Sequence, residues 1–336
     1  MNVTMNVTFA WAAIIAFGLF MYVLLDGFDL GIGLIFPFFP DDEERDMMMH
    51  AIAPVWDGNE TWLVLGGAAL YAAFPLVYSI ALSALYLPII FMLICLIFRG
   101  VSFEIRGKAD RTKNLWNLAF IAGSAGASFF QGVILGTYLH GIPVTNTTFS
   151  GDAFFWFEPF SLFCGLGLMA TYALLGACWL VIKTEGDLQR RLHLLIRPLT
   201  VVLLIFMIAV SVWTPLSDPQ IAKRWFDSGL LSRLLPVPFL VAIVAWFMFS
   251  AVRARRHIVP FILALALVLL GYLGLLVSIW PYAIPYSLSL ADAAAPRSSQ
   301  IFTLVGAVVI LPIIIAYTTA GYWVFRGKVA RGADYH

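Results

Sequence analysis

The chain has 336 residues, of which 62% are apolar and 12% charged, with a mean hydropathy of +0.92. Soluble domains are about 45–50% apolar and about 25% charged, so these values exclude an ordinary soluble domain and indicate a polytopic membrane protein. A net charge of +1 leaves no basic surplus for a nucleic acid partner.

Nine apolar segments have the length of about 20 residues that a helix needs to span a bilayer. They run approximately over 9–36, 52–72, 78–99, 115–138, 154–182, 193–214, 234–252, 258–280 and 300–325. The expected fold is all-α, a single membrane domain over residues 1–336. Met1–Ala10 lacks the basic start of a signal peptide, so the first segment is expected to stay in the mature protein. Of the twenty Lys and Arg, fifteen fall in the odd-numbered connections and the C-terminal tail. Only Lys223, Arg224, Arg233 and Arg297 fall in the even ones, and Arg197 lies within a segment. The positive-inside rule then places the N-terminus in the periplasm and the C-terminus in the cytoplasm.

The first segment contains Asp26-Gly-Phe-Asp29-Leu-Gly31-Ile-Gly33. Asp26 and Asp29 are three apart and share a helix face. Gly27 and Gly31 form a small-xxx-small pair that permits close helix approach. The second segment opens with Pro54-Val-Trp56-Asp57-Gly-Asn59-Glu60-Thr-Trp62, where Asp57 and Glu60 again share a face. A charge near the bilayer centre costs about 2.5–3.5 kcal/mol on insertion scales, and the usual reason to retain one is proton or ion handling. Asp29 lies roughly 12 Å, and Asp57 roughly 8 Å, from the cytoplasmic ends of their segments at about 1.5 Å per residue. Asp26, Asp29, Asp57 and Glu60 are therefore expected to form one cluster in the inner half of the membrane. Burial and like charge disfavour a full set of ionised carboxylates, so such a cluster suits holding and passing on protons. Trp56 and Asn59 are placed to donate hydrogen bonds to its ionised members. Sodium binding, or mere capping at an interfacial helix end, are the alternatives for the same residues.

Further along, Asp41-Asp-Glu-Glu-Arg-Asp46 reads as a solvated loop, with proton collection as the second reading. The third segment leaves the membrane through Phe98-Arg99-Gly100-Val-Ser-Phe-Glu104-Ile-Arg106. Arg99 is placed either to hold one acid ionised or to contact anionic lipid. Gly123, Gly126, Gly132 and Gly136 give the fourth segment a small-residue face, and mid-span Gln131 reads as packing glue. Ser217–Leu235, with Trp225, Phe226, Leu230 and Leu231, reads as an amphipathic helix on the outer surface. Phe-Arg-Gly recurs at 98–100 and 325–327, too short a match to establish a repeat.

The five histidines, His50, His140, His193, His257 and His336, all fall at connections or the tail. Haem in a helix bundle needs axial ligands on facing helices, so redox cofactors are expected elsewhere, with a ligand role for His140 left open. Cys95, Cys164 and Cys178 lie in apolar runs and make neither a disulfide framework nor a metal site. No catalytic and no metal-binding residue is assigned.

The runs Asp26–Gly33 and Ala53–Trp62, with Phe98–Glu104, Gln131-Gly-Val-Ile-Leu-Gly136 and Tyr322-Trp-Val-Phe-Arg-Gly327, resemble subunit II of cytochrome bd-type quinol oxidases over essentially the whole chain. Glu60 and the brevity of the chain resemble the cyanide-insensitive branch. The resemblance implies a bacterial inner-membrane complex that oxidises quinol and reduces oxygen to water. It implies a partner, subunit I, carrying two b-type haems and one d-type haem, with none held by this chain. It implies two four-helix bundles, helices 1–4 over about 9–138 and helices 5–8 over about 154–280, plus a peripheral ninth helix over about 300–325. It also implies a cytoplasmic proton path through the acid at Asp57 and those at Asp26 and Asp29; by their own placement Glu60 and Trp56 are expected to join that path, with Arg99, Asn59 and Glu104 in support. A structural quinone occurs in some members, and small single-span accessory subunits are left open. Two other readings remain: a proton- or sodium-coupled secondary transporter, and a structural subunit whose acids brace helices through Arg99.

Overall fold

A computed structural model describes residues 3–217, 222–223, 225–226, 232 and 235–329. Helix α1 spans Val3–Ile35 and runs through a short 3-10 turn, Phe36–Phe38, into α2 (Asp42–His50). Helices α3 (Trp56–Ala73), α4 (Pro75–Arg106) and α5 (Lys113–His140) follow. A hairpin of β1 (Val144–Thr145) and β2 (Thr148–Phe149) leads to α6 (Pro159–Lys183) and α7 (Gly186–Ser217). Then come α8 (Pro236–Arg253) and α9 (Val259–Ile279), a second hairpin of β3 (Tyr282–Ile284) and β4 (Leu288–Ser289), the single turn α10 (Leu290–Ala293), and α11 (Arg297–Val324).

Each expected apolar segment contains a helix, although 52–55 and 154–158 are not helical. Among the described residues, eight helices are long and apolar enough to cross a membrane. The exception is α3, at 18 residues, whose first turns hold Asp57, Asn59 and Glu60. Its boundary with α4 is set by Pro75, which opens α4 and biases Phe74 out of the helical region, at φ −136° and ψ 63°. The two hairpins were not expected; both lie at the same end of the bundle, opposite α2.

The tightest helix crossings occur at glycines. A Cβ on Gly31 would lie 1.8 Å from the Tyr172 carbonyl oxygen, so α1 and α6 pass backbone to backbone. A Cβ on Gly123 would lie 2.8 Å from the Arg99 nitrogen, so α5 presses on α4 beside that arginine. By contrast α11 is peripheral: Gln300 is its buried side chain among the described residues. The Trp11 indole donates to the Gln300 carbonyl at 3.0 Å, holding one end of α11. Lys183 holds the other, donating to the carbonyls of Phe325 and, at 3.3 Å, Gly327.

The first connection is solvated only at its start, residues 41–43, and is a helix rather than a loop. Asp41 caps α2, accepting from the Glu43 amide at 2.8 Å. Met47, Met48 and Met49 are buried, as is Glu44, which pairs with Arg191 on α7. Arg106 on α4 is 3% exposed; it pairs with Asp46 and donates from Nε to Asn117 on α5 at 2.5 Å. Thus α2 ties the ends of α4, α5 and α7 together. Arg106→Leu leaves Asn117 without its donor and Asp46 without its main partner. It is expected to cost about 2 kcal/mol and lower the melting temperature of the purified complex by several degrees. Lys113→Leu, which removes a more exposed partner of the same Asp46 at 3.3 Å, is expected to cost under about 1 kcal/mol. Equal melting temperatures for the two variants would contradict a buried tie at Arg106.

The surface helix expected over Ser217–Leu235 lies largely outside the described residues, including Arg224, Leu230, Leu231 and Arg233. Within it, the described Trp225 donates to Ser278 at 3.0 Å, against the end of α9. Arg331 and His336 also lie outside the described residues.

Candidate functional site

Asp26 and Asp29 are both fully buried on α1. Arg99, equally buried on α4, reaches both, with Nη2 at 2.9 Å from Asp26 Oδ1 and 3.7 Å from Asp29 Oδ2. Its Nη1 donates to Glu60 on α3. Of the two roles open to Arg99, the structure shows the acid contact and not a lipid contact. The guanidinium lies over the rings of Trp56 and Phe103, at 5.5 and 5.7 Å, and those rings stack on each other at 5.0 Å. The rings shield the ion cluster on one side and add cation–π attraction. One guanidinium offsets one carboxylate, so three ionised acids would leave uncompensated charge in the interior. The chemistry this arrangement supports is the uptake and release of a proton.

Asn59 joins the cluster as expected, donating from Nδ2 to Asp29 Oδ2 at 2.7 Å. Glu60 keeps 26% of its side chain exposed, which makes it the open side of a set otherwise sealed. Asp57 does not join them. It is exposed on α3, so the expected cluster of four acids is a cluster of three plus an outlying fourth. Residues three apart differ by about 60° around a helix, and the rim of the bundle falls between Asp57 and Glu60. Glu104 is also exposed on α4, apart from the cluster.

Three tyrosines were missed by sequence reasoning. Gln131, read as packing glue, donates to the Tyr22 hydroxyl at 2.6 Å and accepts from Tyr172 at 2.8 Å. Tyr22 is four residues before Asp26 and faces it, a spacing that was available as a signal. Tyr322 on α11 donates to Asn59 Oδ1 at 2.8 Å; it opens the run 322–327 that carries part of the resemblance, but its spacing gave it no role.

The remaining candidates are placed simply. His140 lies 3.5 Å from Glu158, and the His193 ring contacts the Val252 carbonyl at 3.0 Å. Among the described residues, no three His, Cys, Asp or Glu side chains gather as a metal site. Arg326, in the second Phe-Arg-Gly, lies beyond the end of α11 and is exposed, whereas Arg99 is mid-helix and buried, so the two copies are not structural equivalents.

Comparison with known proteins bears on this geometry. The chain is 29% identical to cytochrome bd-I ubiquinol oxidase subunit 2 of Escherichia coli K12, over 96% of this chain and 95% of that one. It is 28% identical to cytochrome bd ubiquinol oxidase subunit 2 of Bacillus subtilis, over 95% and 96%. Its fold is similar to a chain of the bd oxidase from Geobacillus thermodenitrificans, with a TM-score of 0.79 at 15% identity, covering 95% of this chain and 98% of that one. With its eight apolar helices, these relatives make the chain a multi-pass protein of the bacterial inner membrane. A family profile described as cytochrome bd terminal oxidase subunit II matches residues 7–325, and the chain belongs to that family.

Proposed function

We propose that this chain is the haem-free subunit II of a bd-type quinol:oxygen oxidoreductase, and that it passes protons from the cytoplasm toward subunit I. The observation that carries the reading is the Arg99 cluster: three carboxylates around one cation, sealed except at Glu60. Asp57 stands outside that opening, one helical turn from Glu60, and serves as the proton acceptor at the surface. Glu60 then relays to the carboxylates of Asp29 and Asp26. Arg99 favours an ionised carboxylate within the set, so a proton arriving at Glu60 meets an acceptor.

The same reading takes α3 as a ninth span, the N-terminus as periplasmic, and the helices as two four-helix bundles with α11 outside them. Subunit I carries the haems, two of b type and one of d type, and these supply the electron transfer and oxygen chemistry. The reading also takes the chain, on Glu60 and its brevity, as a member of the cyanide-insensitive branch.

A secondary transporter is expected to break its helices at the coupling site, whereas α1 runs unbroken past Asp26 and Asp29, and α4 past Arg99. No observation favours that reading. The structural alternative, acids that merely brace α1, α3 and α4, is separated by mutation. Asp57→Asn and Glu60→Gln are each expected to cut quinol-supported oxygen uptake roughly tenfold, the effect of about 1.4 kcal/mol on the limiting step. The haem spectrum of the complex should remain intact. Full uptake in both variants would end the proton-path reading; joint loss of uptake and haem would favour the brace.

A further inference from the structure

Tyr322 brings α11 into contact with the acid cluster, although α11 is otherwise peripheral. Its hydroxyl lies 2.8 Å from Asn59 Oδ1, and Asn59 Nδ2 lies 2.7 Å from Asp29 Oδ2. The same Nδ2 lies 3.4 Å from the Leu25 carbonyl oxygen. A backbone carbonyl can only accept, and so can an ionised carboxylate. Both protons of the Asn59 amide are therefore directed at α1. That fixes which end of the amide faces which way, and leaves Oδ1 as an acceptor that Tyr322 must supply.

We infer that Tyr322 is a positioning residue for proton transfer: it holds the Asn59 amide with its donor end on Asp29, and so sets the pH at which Asp29 takes up a proton. The inference rests on the proton-path reading and adds a residue to it. The tyrosine ring is itself fixed, edge-on to Trp179 at 5.7 Å and to Phe28 at 6.3 Å. Three residues later, the Lys183 bond to the Phe325 carbonyl ties the end of α11 to α6. An amide does not readily pass a proton along, so the Tyr322–Asn59 arm is a dead end that stabilises the anion. Protons reach Asp29 from the Glu60 side instead. The charged groups facing Asp29 are Arg99 from α4, Asp26 from its own helix and Glu60 from α3.

The test uses the whole complex with its haem-bearing partner. Tyr322→Phe removes the hydroxyl and keeps the ring; Asn59→Leu removes the amide; the double variant removes both. Oxygen uptake is measured against pH, with haem content alongside. Tyr322→Phe is expected to retain its haem and to move the pH profile by about half a unit or more, toward alkaline pH, because Asp29 loses support for its ionised form. Asn59→Leu should move it further, and the double variant should match Asn59→Leu alone, since Tyr322 acts only through the amide. An unmoved profile in Tyr322→Phe, or shifts that add, would overturn the inference. Glu60→Gln in the same preparation separates the two ideas. If it cuts uptake while Tyr322→Phe leaves the profile unmoved, only the role of Tyr322 falls. If it and Asp57→Asn both leave uptake intact, both ideas fall.

Discussion

Replacing Arg99 with methionine is expected to abolish accumulation of the haem-bearing complex at neutral and alkaline pH. Arg99 has no exposed surface and faces three carboxylates from two other helices. Removing one member of a buried ion pair costs about 3–5 kcal/mol because the other charge is left uncompensated. Here three acids lose the cation they share, against a total stability of about 5–15 kcal/mol for a typical protein. The acids have one escape, which is to bind protons. Proton binding is easier as pH falls, so the variant should recover toward acid pH and worsen toward alkaline pH. Neutralising the partners supplies the complementary result: Asp26→Asn with Asp29→Asn, added to Arg99→Met, should restore much of the lost complex. Arg99→Lys should rescue only in part, because a point-like ammonium cannot fork between carboxylates on two helices. Haem absorbance per unit of membrane protein and the melting temperature of the purified complex are the readouts. Wild-type values for Arg99→Met across the pH range would mean that the cluster carries no charge to balance.

The long helices were legible because their signal is local: about 20 consecutive apolar residues have one good solution in a bilayer. The pairing of Asp26 with Asp29 was legible for the same reason, since both lie on one face of a helix surrounded by α3, α5 and α6. Asp57 shows where the rule stops. Its spacing to Glu60 matches that of Asp26 to Asp29, yet α3 sits at the rim, so one acid faces inward and the other outward. A helix face can be read from spacing; what packs against it cannot. The connection Asp41–Asp46 was misread because its composition is that of a solvated loop. Asp41, Asp42 and Glu43 are exposed, but Glu44 is buried and paired with Arg191 from α7, and Asp46 is held by Arg106 and Lys113, which arrive from α4 and α5. Tyr322 was invisible for the extreme form of that reason, since its partner Asn59 is 263 residues away. Arg99 was readable as a contact for either acid or lipid, and depth alone could not choose. What decides it is packing: Arg99 is fully buried against the acids of α1 and α3, and Gly123 lets α5 lie close to its backbone.

Gly31→Ala is expected to be among the most damaging single-methyl changes in the chain. The added carbon would lie 1.8 Å from the Tyr172 carbonyl oxygen, 2.5 Å from its carbonyl carbon and 3.0 Å from the Gly176 nitrogen. All three are backbone atoms, so no side-chain rotation relieves the overlap and α1 must move away from α6. Overpacking a tight core costs about 1–3 kcal/mol, and more where the backbone itself must shift; about 3 kcal/mol or more is expected here. The displacement would reach the acid cluster too, because Asp29 lies two residues before Gly31. Oxygen uptake should therefore fall together with thermal stability, unlike the Glu60→Gln case, where uptake falls alone. Gly306→Ala on α11 is the control, since a Cβ there meets nothing within 4 Å. It should be neutral, or stabilising by up to about 1 kcal/mol through helix propensity. If Gly31→Ala melts within a degree or so of the Gly306→Ala complex, α1 and α6 do not touch backbone to backbone. The geometry that buries Asp26 and Asp29 would then have to be held by something other than that crossing.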